Sequence, residues 1–290
     1  MQKVIALGFF DGVHLGHGAL LRRTNALAAQ YGAEPAVLTF DRNPGKNGKL
    51  LTSVADRSSL ISELYGIDTV ICLPFDEALR STAWDSFIRT LVRQQEAVCL
   101  VCGWDYRFGS SGEGTPELLQ SLCKELQIGC EVVDRTQLHG ITVSSTYLRQ
   151  LVAAGDMEQA TEFYGHPHIL SGEVVHGQQL GRQLGTPTAN LFCGEDILLP
   201  QRGVYAVKAL IEGREYAAVC NVGQRPTVSG TETVIEAWLP EQSFDLYGKT
   251  ICLSFLRKLR NEQKFPSLDA LREQILRDAE QAKAYFEDHT

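Results

Sequence analysis

Two histidines lie three residues apart in a glycine-containing segment near the start of the chain. The segment reads Gly8-Phe9-Phe10-Asp11-Gly12-Val13-His14-Leu15-Gly16-His17. It follows an apolar run and precedes a helical pattern, and the first turn of a helix offers free backbone N–H groups and a dipole that favour an anion. His14 and His17 can both point toward one phosphate chain and donate hydrogen bonds as negative charge shifts, while Gly12 and Gly16 let a ligand approach the backbone. The spacing predicts a phosphate site suited to nucleotidyl transfer; the alternative is a plain turn with two surface histidines.

Two later segments have residue types that suit the same ligand. In residues 143–149, Ser145 and Thr146 can cap a short helix, and Arg149 follows one turn later, where it would suit a leaving pyrophosphate. An ordinary helix cap with a solvent-facing arginine is the alternative. Residues 103–109 follow an apolar run and form either a binding loop or a plain turn.

A second candidate site lies in the middle of the chain. Glycines recur at every fourth position and lead into a Thr-Pro-Thr-Ala-Asn run: Gly177, Gly181, Gly185, Thr186, Pro187, Thr188, Ala189 and Asn190. On an extended segment Thr188 and Asn190 share one face. They could bind one Mg²⁺ with ATP oxygens, because Mg²⁺ takes few protein ligands and completes its shell with water and phosphate. Residues 248–250, Gly-Lys-Thr, lack the upstream glycine of a phosphate loop and predict only a turn.

Composition limits the classes of protein that fit. The chain has 290 residues with 44% hydrophobic and 21% charged residues, which predicts a globular protein of two domains. Its net charge of -8 argues against a general nucleic-acid surface, so any anionic ligand must be held locally. The N-terminus resembles neither a signal peptide nor a membrane span, so we expect a cytoplasmic protein. The oligomeric state stays open.

Cysteine usage predicts free thiols. Eight cysteines are scattered through apolar stretches of a chain without an export signal. The one CxxC pair, Cys99 and Cys102, lies in a predicted strand, where residues three apart face opposite sides. This geometry argues against a zinc site.

The pattern of elements changes near residue 165. Before it, apolar runs at 4–9, 36–40, 69–73, 97–102 and 130–133 alternate with helical patterns at 18–30, 57–65, 84–94 and 116–126, the rhythm of a parallel α/β sheet. After it, extended segments at 172–176, 203–211, 216–222, 233–239 and 250–255 predict a small β-barrel. Ser267 can cap a final helix whose apolar face comprises Leu268, Leu271, Ile275, Ala279, Ala282 and Phe286. We expect domains at 1–165 and 166–290.

These motifs together resemble the bacterial bifunctional riboflavin kinase/FMN adenylyltransferase (FAD synthetase) family over essentially the whole chain. The resemblance implies a Rossmann-like α/β nucleotidyltransferase domain with a parallel sheet, followed by an antiparallel riboflavin kinase β-barrel with a terminal helix. It implies that ATP and flavin are substrates and that Mg²⁺ is required. In the first domain it implies catalytic roles for His14, His17 and Arg149. ATP would be bound by Gly8, Phe9, Phe10, Asp11, Gly12, His14, His17, Ser145, Thr146 and Arg149, and FMN by the loops with Asn43, Asp105 and Tyr106.

In the second domain the resemblance assigns a kinase site. It implies that Glu236 takes the proton from the riboflavin 5′-hydroxyl, and that Thr188 and Asn190 hold the metal. ATP would be bound by Gly177, Gly181, Arg182, Gly185, Pro187, Thr188 and Asn190, and flavin by Asn221, Arg225 and Arg260. A solvent-facing carboxylate is the alternative for Glu236, and a surface charge is the alternative for Arg260.

The chain departs from the family pattern around these motifs. Asn43 replaces a histidine, Phe9 stands where asparagine is common, Asp105 and Tyr106 replace Asn-Phe, and Thr186 replaces phenylalanine. The Asn43 departure leaves a flavokinase with weak or lost adenylyltransferase activity as an alternative function. Two further alternatives are a cytidylyltransferase, because such folds share the chemistry of the histidine motif, and a flavin-binding module without turnover.

Overall fold

A computed structural model describes residues 1–44, 48–176, 188–227, 230–240 and 245–288, with the side chains of 225–227, 230–232 and 288 left out. The described chain forms two compact units, Met1–Ser145 and Thr146–Thr290. The two helices between residues 145 and 164 group with the second of these units.

The first unit contains a five-stranded parallel sheet. Its strands are β1 (Lys3–Leu7), β2 (Glu34–Phe40), β3 (Thr69–Leu73), β4 (Ala97–Gly103) and β5 (Gly129–Val133), in the order β3-β2-β1-β4-β5. Its helices are α1 (Leu15–Tyr31), α2 (Val54–Tyr65), α3 (Glu77–Arg80), α4 (Trp84–Gln95) and α5 (Pro116–Glu125). A two-stranded hairpin, β6 (Gln137–Leu138) with β7 (Ile141–Thr142), completes it. The parallel sheet predicted from the sequence is confirmed.

Both faces of the parallel sheet in the first unit are buried. Val4, Ile5, Ala6 and Leu7 are all fully buried, as expected for a central parallel strand. Cys99 packs on one side of β4 and Cys102 on the other, in separate apolar clusters, which confirms their predicted opposite orientation. β1 lies between β2 and β4, so the turns at the carboxyl ends of these three strands share one edge of the sheet.

The second unit contains two helices, a closed barrel and a terminal helix. The helices are α6 (Ser145–Ala154), α7 (Met157–Tyr164) and α8 (Leu268–Asp288). The strands are β8 (His168–Val175), β9 (Thr188–Phe192), β10 (Gly203–Ile211), β11 (Arg214–Thr227), β12 (Gly230–Trp238) and β13 (Thr250–Arg260), closed in the order β10-β11-β12-β9-β8-β13. In the described residues, neighbouring strands of the barrel pair antiparallel.

Helix α8 covers part of the outer face of the barrel. Ala282 and Phe286 pack against Val204, Ala206 and Val219 of β10 and β11. Ser267 Oγ accepts a hydrogen bond from Ala270 N at 3.2 Å, so the predicted cap is confirmed. The prediction that Leu268 belongs to the packed face was wrong, because it lies in the first turn and is 56% exposed.

The structure also shows the state of the cysteines, the grouping of metal-ligating side chains and the character of the helices. All eight cysteines are free thiols, and Cys99, Cys102, Cys123 and Cys220 are buried. Among the described residues, no cluster of three or more His, Cys, Asp or Glu side chains could hold a metal ion. In the part of the chain that the structure covers, no helix combines the length and apolar character needed to cross a membrane.

Candidate active sites

His14 and His17 form a stacked pair at the start of α1. His14 is the N-cap residue, and its Nδ1 accepts a hydrogen bond from His17 N at 3.2 Å. A neutral His14 therefore carries its proton on Nε2. The two rings are nearly parallel, with centroids 3.6 Å apart. Helix α1 begins at Leu15 rather than near Gly18, so both histidines lie where the helix N–H groups are free.

The turn before α1 is held in an unusual backbone conformation. Phe10, Gly12 and Val13 have φ values of 55°, 83° and 42°, a region that non-glycine residues rarely occupy. Such strain is typical of functional turns and must be held by surrounding bonds. Asp11 Oδ1 accepts from Leu51 N at 2.9 Å and from Thr52 N at 3.1 Å. The buried Asp11 carboxylate therefore fastens the turn to the segment before α2.

The glycines of the turn differ in what they do. Gly12 adopts a positive φ, and its N–H donates to Thr52 Oγ1 at 3.0 Å. At Gly16 a Cβ atom would lie 3.1 Å from the His14 ring, and at Gly8 it would lie 2.9 Å from the Phe10 ring. Gly16 and Gly8 therefore make room for these aromatic rings, a reason that sequence reasoning did not give.

His17 is held in its neutral form. Burial, followed by the neighbouring His14 and Arg57, keeps the pKa of His17 well below its usual value of 6.5. Its Nδ1 atom is buried without a hydrogen-bond partner. A neutral imidazole can donate one N–H to a phosphate oxygen at neutral pH.

Ser145 of the 143–149 motif contacts this turn. Ser145 begins α6, and its hydroxyl donates to the Asp11 carbonyl at 3.0 Å instead of capping the helix. Thr146 is exposed and Arg149 is half-buried on the same helix. Both belong to the second unit, and their contacts with ATP stay a prediction.

The three residues predicted for the flavin loops are spread over two segments. Asn43 lies after β2, and its amide donates to Gly48 O at 3.4 Å. Asp105 is exposed in the loop after β4. Tyr106 stacks its ring on Phe108 at 5.3 Å, and its hydroxyl is buried without a partner. The pKa of Tyr106 is raised, first by burial.

In the second unit three polar side chains form a row across neighbouring strands. Asn190 of β9 is directly opposite Glu236 of β12, which is directly opposite Asn221 of β11. Opposed residues in adjacent strands point to the same face. Their neighbours Leu191, Ile235 and Val222 are buried, so the row lies on the outer face of the barrel. The predicted base, one metal ligand and one flavin residue are thus brought together.

Thr188 extends this row by one step along β9. It is opposite Trp238 and two residues from Asn190, so both side chains share the outer face. A hydroxyl and an amide, with the Glu236 carboxylate beside them, supply the hard oxygen donors that Mg²⁺ accepts. The residues present therefore fit this metal.

Two segments of the second unit meet at the end of β8. The His176 and Tyr247 rings stack with centroids 4.0 Å apart. Val174 N donates to Lys249 O, and Gly248 N donates to Val174 O, both at 2.9 Å. Residues 172–176 and 245–249 are therefore neighbours at the end of β8.

Several predicted residues are not placed. Gly177, Gly181, Arg182, Gly185 and Pro187 lie outside the described residues, as does the Thr186 departure. Arg225 lies in β11, but its side chain is not described.

Arg260 is joined to the terminal helix. Arg260 Nε donates to Asp278 Oδ1 at 3.0 Å, and Arg260 Nη2 donates to Asp278 Oδ2 at 2.8 Å. Asp278 is 1% exposed. Gln274 of α8 also donates to Asp278 at 2.8 Å. This bidentate pair fastens β13 to α8.

Sequence reasoning missed Arg57 and Thr52. Arg57 of α2 is fully buried behind the histidine turn, and Thr52 is the hydroxyl to which Gly12 is bonded. A signal existed for Arg57, because it shares the helical spacing of the buried residues Leu60 and Ile61. No comparable signal marks Thr52, since its partner is 40 residues away.

The fold and sites define an enzyme of two units, one an α/β unit with a phosphate-type turn and the other a barrel with a carboxylate between two amides. Family models agree: FAD synthetase matches residues 1–147, and riboflavin kinase matches residues 164–286. Curated relatives named bifunctional riboflavin kinase/FMN adenylyltransferase include those of Haemophilus influenzae (37% identical, covering 97% of this chain and 94% of the relative) and Escherichia coli K12 (36%, 98% and 92%). The Listeria monocytogenes relative is 32% identical, covering 99% and 93%. The chain belongs to the bifunctional riboflavin kinase/FMN adenylyltransferase family.

One solved structure is similar over both units. A protein from Streptococcus pneumoniae, named as a macrolide-efflux protein, matches with a TM-score of 0.85 and 29% identity, covering 97% of this chain and 94% of that one. Both family models and the curated relatives are instead named for flavin chemistry.

Proposed function

We propose that the chain makes FMN from riboflavin and ATP in residues 166–290, and then makes FAD from FMN and ATP in residues 1–165. The observation that carries this proposal is that each family model falls on a unit with its own polar site. Riboflavin, FMN and ATP are the small-molecule partners, and Mg²⁺ is required for both reactions.

In the kinase step Glu236 acts as the base. It takes the proton from the riboflavin 5′-hydroxyl, whose oxygen attacks the γ-phosphorus of ATP, and the bond to the β,γ-bridging oxygen breaks to release ADP. Asn190 and Asn221, opposite Glu236 on either side, orient the carboxylate and the flavin. Thr188 and Asn190 would hold Mg²⁺, which neutralises phosphate charge when bound. Gly177, Gly181, Arg182, Gly185 and Pro187 would bind ATP, and Arg225 and Arg260 the flavin side.

In the adenylyl step no base is needed, because the FMN phosphate is already anionic. One of its oxygens attacks the α-phosphorus of ATP, and the bond to the α,β-bridging oxygen breaks to release pyrophosphate. His14, His17 and the N–H groups of the turn stabilise the charge that develops. Ser145, Thr146 and Arg149 would engage the ATP phosphates, as would the segment from Gly8 to Gly12. The loops with Asn43, Asp105 and Tyr106 would hold FMN.

The test uses two variants that should each stop one reaction. Purified protein is incubated with Mg-ATP and either riboflavin or FMN, and the flavins are separated by chromatography. Glu236→Gln should lower FMN formation from riboflavin by about 100-fold or more, yet still convert added FMN to FAD. His17→Asn should accumulate FMN and lower FAD formation to a similar extent.

The outcomes separate the alternatives. Wild-type protein that forms FMN but no FAD would be a flavokinase alone, as the Asn43 departure allows. Protein that forms neither flavin product would refute the enzymatic proposal. Normal FMN formation by Glu236→Gln would remove the proposed role of that residue.

A further inference from the structure

Arg57 is a fully buried cation that neither proposed reaction yet uses. It lies in the first turn of α2, after Ser53 has capped that helix. Its Nη1 donates to Thr39 Oγ1 at 2.6 Å and to Phe40 O at 3.0 Å. The guanidinium is thus anchored to the carboxyl end of β2, at the edge of the sheet that carries the histidine turn.

The positive charge of Arg57 is not neutralised by a salt bridge. Its Nε and Nη2 atoms are buried without hydrogen-bond partners, and within the described residues Arg57 forms no ion pair. Burial lowers the pKa of Arg57, and Asp11 is the carboxylate that acts to raise it. The Asp11 Oδ1 atom, however, already accepts hydrogen bonds from Leu51 N and Thr52 N. Burial of an unpaired charge is costly, so such a group is retained where a function requires it.

Arg57 contacts the histidine turn from behind. Its guanidinium carbon lies 4.4 Å from the centroid of the Phe9 ring, a cation–π contact. Thr39 Oγ1, to which Arg57 donates, itself donates to Phe9 O at 2.7 Å. Phe9 is thereby fixed through both its ring and its carbonyl, immediately before the strained residues of the turn.

We propose that Arg57 is a positioning residue of the adenylyltransferase site, which fixes Phe9 and supplies a buried positive potential behind the turn that receives the ATP phosphates. Because Arg57 is fully buried, its charge acts more strongly on a phosphate than that of a surface lysine would. Arg57 is 0% exposed, so it acts through Phe9 and His17 rather than by touching the substrate. The inference rests on the proposed function of this turn.

The experiment compares Arg57→Met with Arg57→Lys in the full chain. Arg57→Met keeps the apolar volume and removes the charge, and FAD formation from FMN should fall about 100-fold. Arg57→Lys keeps the charge but loses the planar stacking, and should retain activity within about tenfold of wild type. Riboflavin phosphorylation by the same preparations should stay unchanged and so reports on folding. Arg23→Met, which removes a surface arginine paired with Glu131, is the matched control and should leave both reactions unchanged.

A pH profile separates electrostatic positioning from mere structural support. The charge of Arg57 lowers the pKa of His17, after burial and His14. Its removal should raise that pKa and move the acid limb of the profile for FAD formation to higher pH. A structural role alone would lower activity without moving this limb. Equal losses in the Met and Lys variants, an unmoved acid limb, or activity of Arg57→Met within twofold of wild type would each overturn the inference.

Failure of the proposed function can be distinguished from failure of the inference about Arg57. If wild-type protein forms no FAD, the function fails, whereas the inference can still be read from the NMR signals of the His17 imidazole on titration with ATP. Wild type should shift these signals at lower ATP concentration than Arg57→Met; equal titrations would refute the role of Arg57.

Discussion

The Tyr106 hydroxyl is a polar group buried without an acceptor. Its ring stacks on Phe108, whereas its oxygen is shielded from solvent and has no partner. An unsatisfied buried donor costs about 1–3 kcal/mol. Natural proteins retain such groups where function requires them, and Tyr106 lies in a loop assigned to FMN.

We predict that Tyr106→Phe raises the free energy of unfolding of the first unit by about 1 kcal/mol. Urea denaturation measures this change. Tyr65→Phe is the matched control in the same unit, because the Tyr65 side chain interacts with Arg22 and loss of its hydroxyl should be neutral or destabilising. A lower stability of Tyr106→Phe would show that the hydroxyl is satisfied. A raised KM for FMN in this variant would assign the hydroxyl to the flavin.

At this scale the sequence predicted the residues whose partners are close along the chain. The spacing of His14 and His17 was sufficient, because a helix start brings positions three apart together. Asp11 was predicted as an ATP residue, but its carboxylate is bonded to a segment 40 residues away. Arg57 was read only as part of a helix, since its burial depends on how α2 packs on the sheet. Contacts distant in sequence leave no periodic signal.

At the scale of elements, the prediction of strands and helices was close. The strands Thr69–Leu73 and Gly203–Ile211 begin and end where the sequence placed them. β11 is longer than predicted, Arg214–Thr227 rather than 216–222, because pairing with both β10 and β12 continues the ladder through polar residues. The two-residue strands β6 and β7 are too short for any pattern to show.

The Arg260–Asp278 ion pair joins α8 to β13. Removing one partner of a buried pair leaves the other charge uncompensated, at a cost of about 3–5 kcal/mol. We expect Asp278→Asn and Arg260→Gln each to lower the midpoint of thermal unfolding of the second unit. The double variant should lose much less than the sum of both, because the two changes remove the same interaction.

The same variants test whether Arg260 also binds flavin. Arg272→Gln, which removes an exposed arginine of α8, is the control and should leave the midpoint within error. Additive losses would show that Arg260 and Asp278 act separately. A raised KM for riboflavin in Arg260→Gln, without the same change in Asp278→Asn, would support the flavin role.

At the scale of the whole molecule, a histidine in each unit has a lowered pKa. The pKa of His17 lies well below its usual value, first through burial. Burial and then His166 lower the pKa of His168 from 6.5 to about 3. His168 begins β8, contacts Tyr164 of α7 at 3.3 Å, and has a buried Nε2 without a partner. Both units should therefore lose stability in acid.

The loss in the second unit can be calculated for His168. Because the folded barrel binds this proton more weakly than the unfolded chain, stability is complete above pH 6.5 and decreases as pH falls toward 3. Between pH 8 and pH 5 the contribution of His168 is about 2 kcal/mol, since one pKa unit corresponds to about 1.4 kcal/mol. His168→Phe should remove this part of the acid sensitivity from the unfolding of the second unit and leave that of the first unit unchanged. His139→Gln, an exposed histidine in the first unit, is the control. Calorimetric scans of the three proteins at pH 8 and pH 5 measure the effect, and an equal acid shift in His168→Phe and wild type would show that His168 does not cause it.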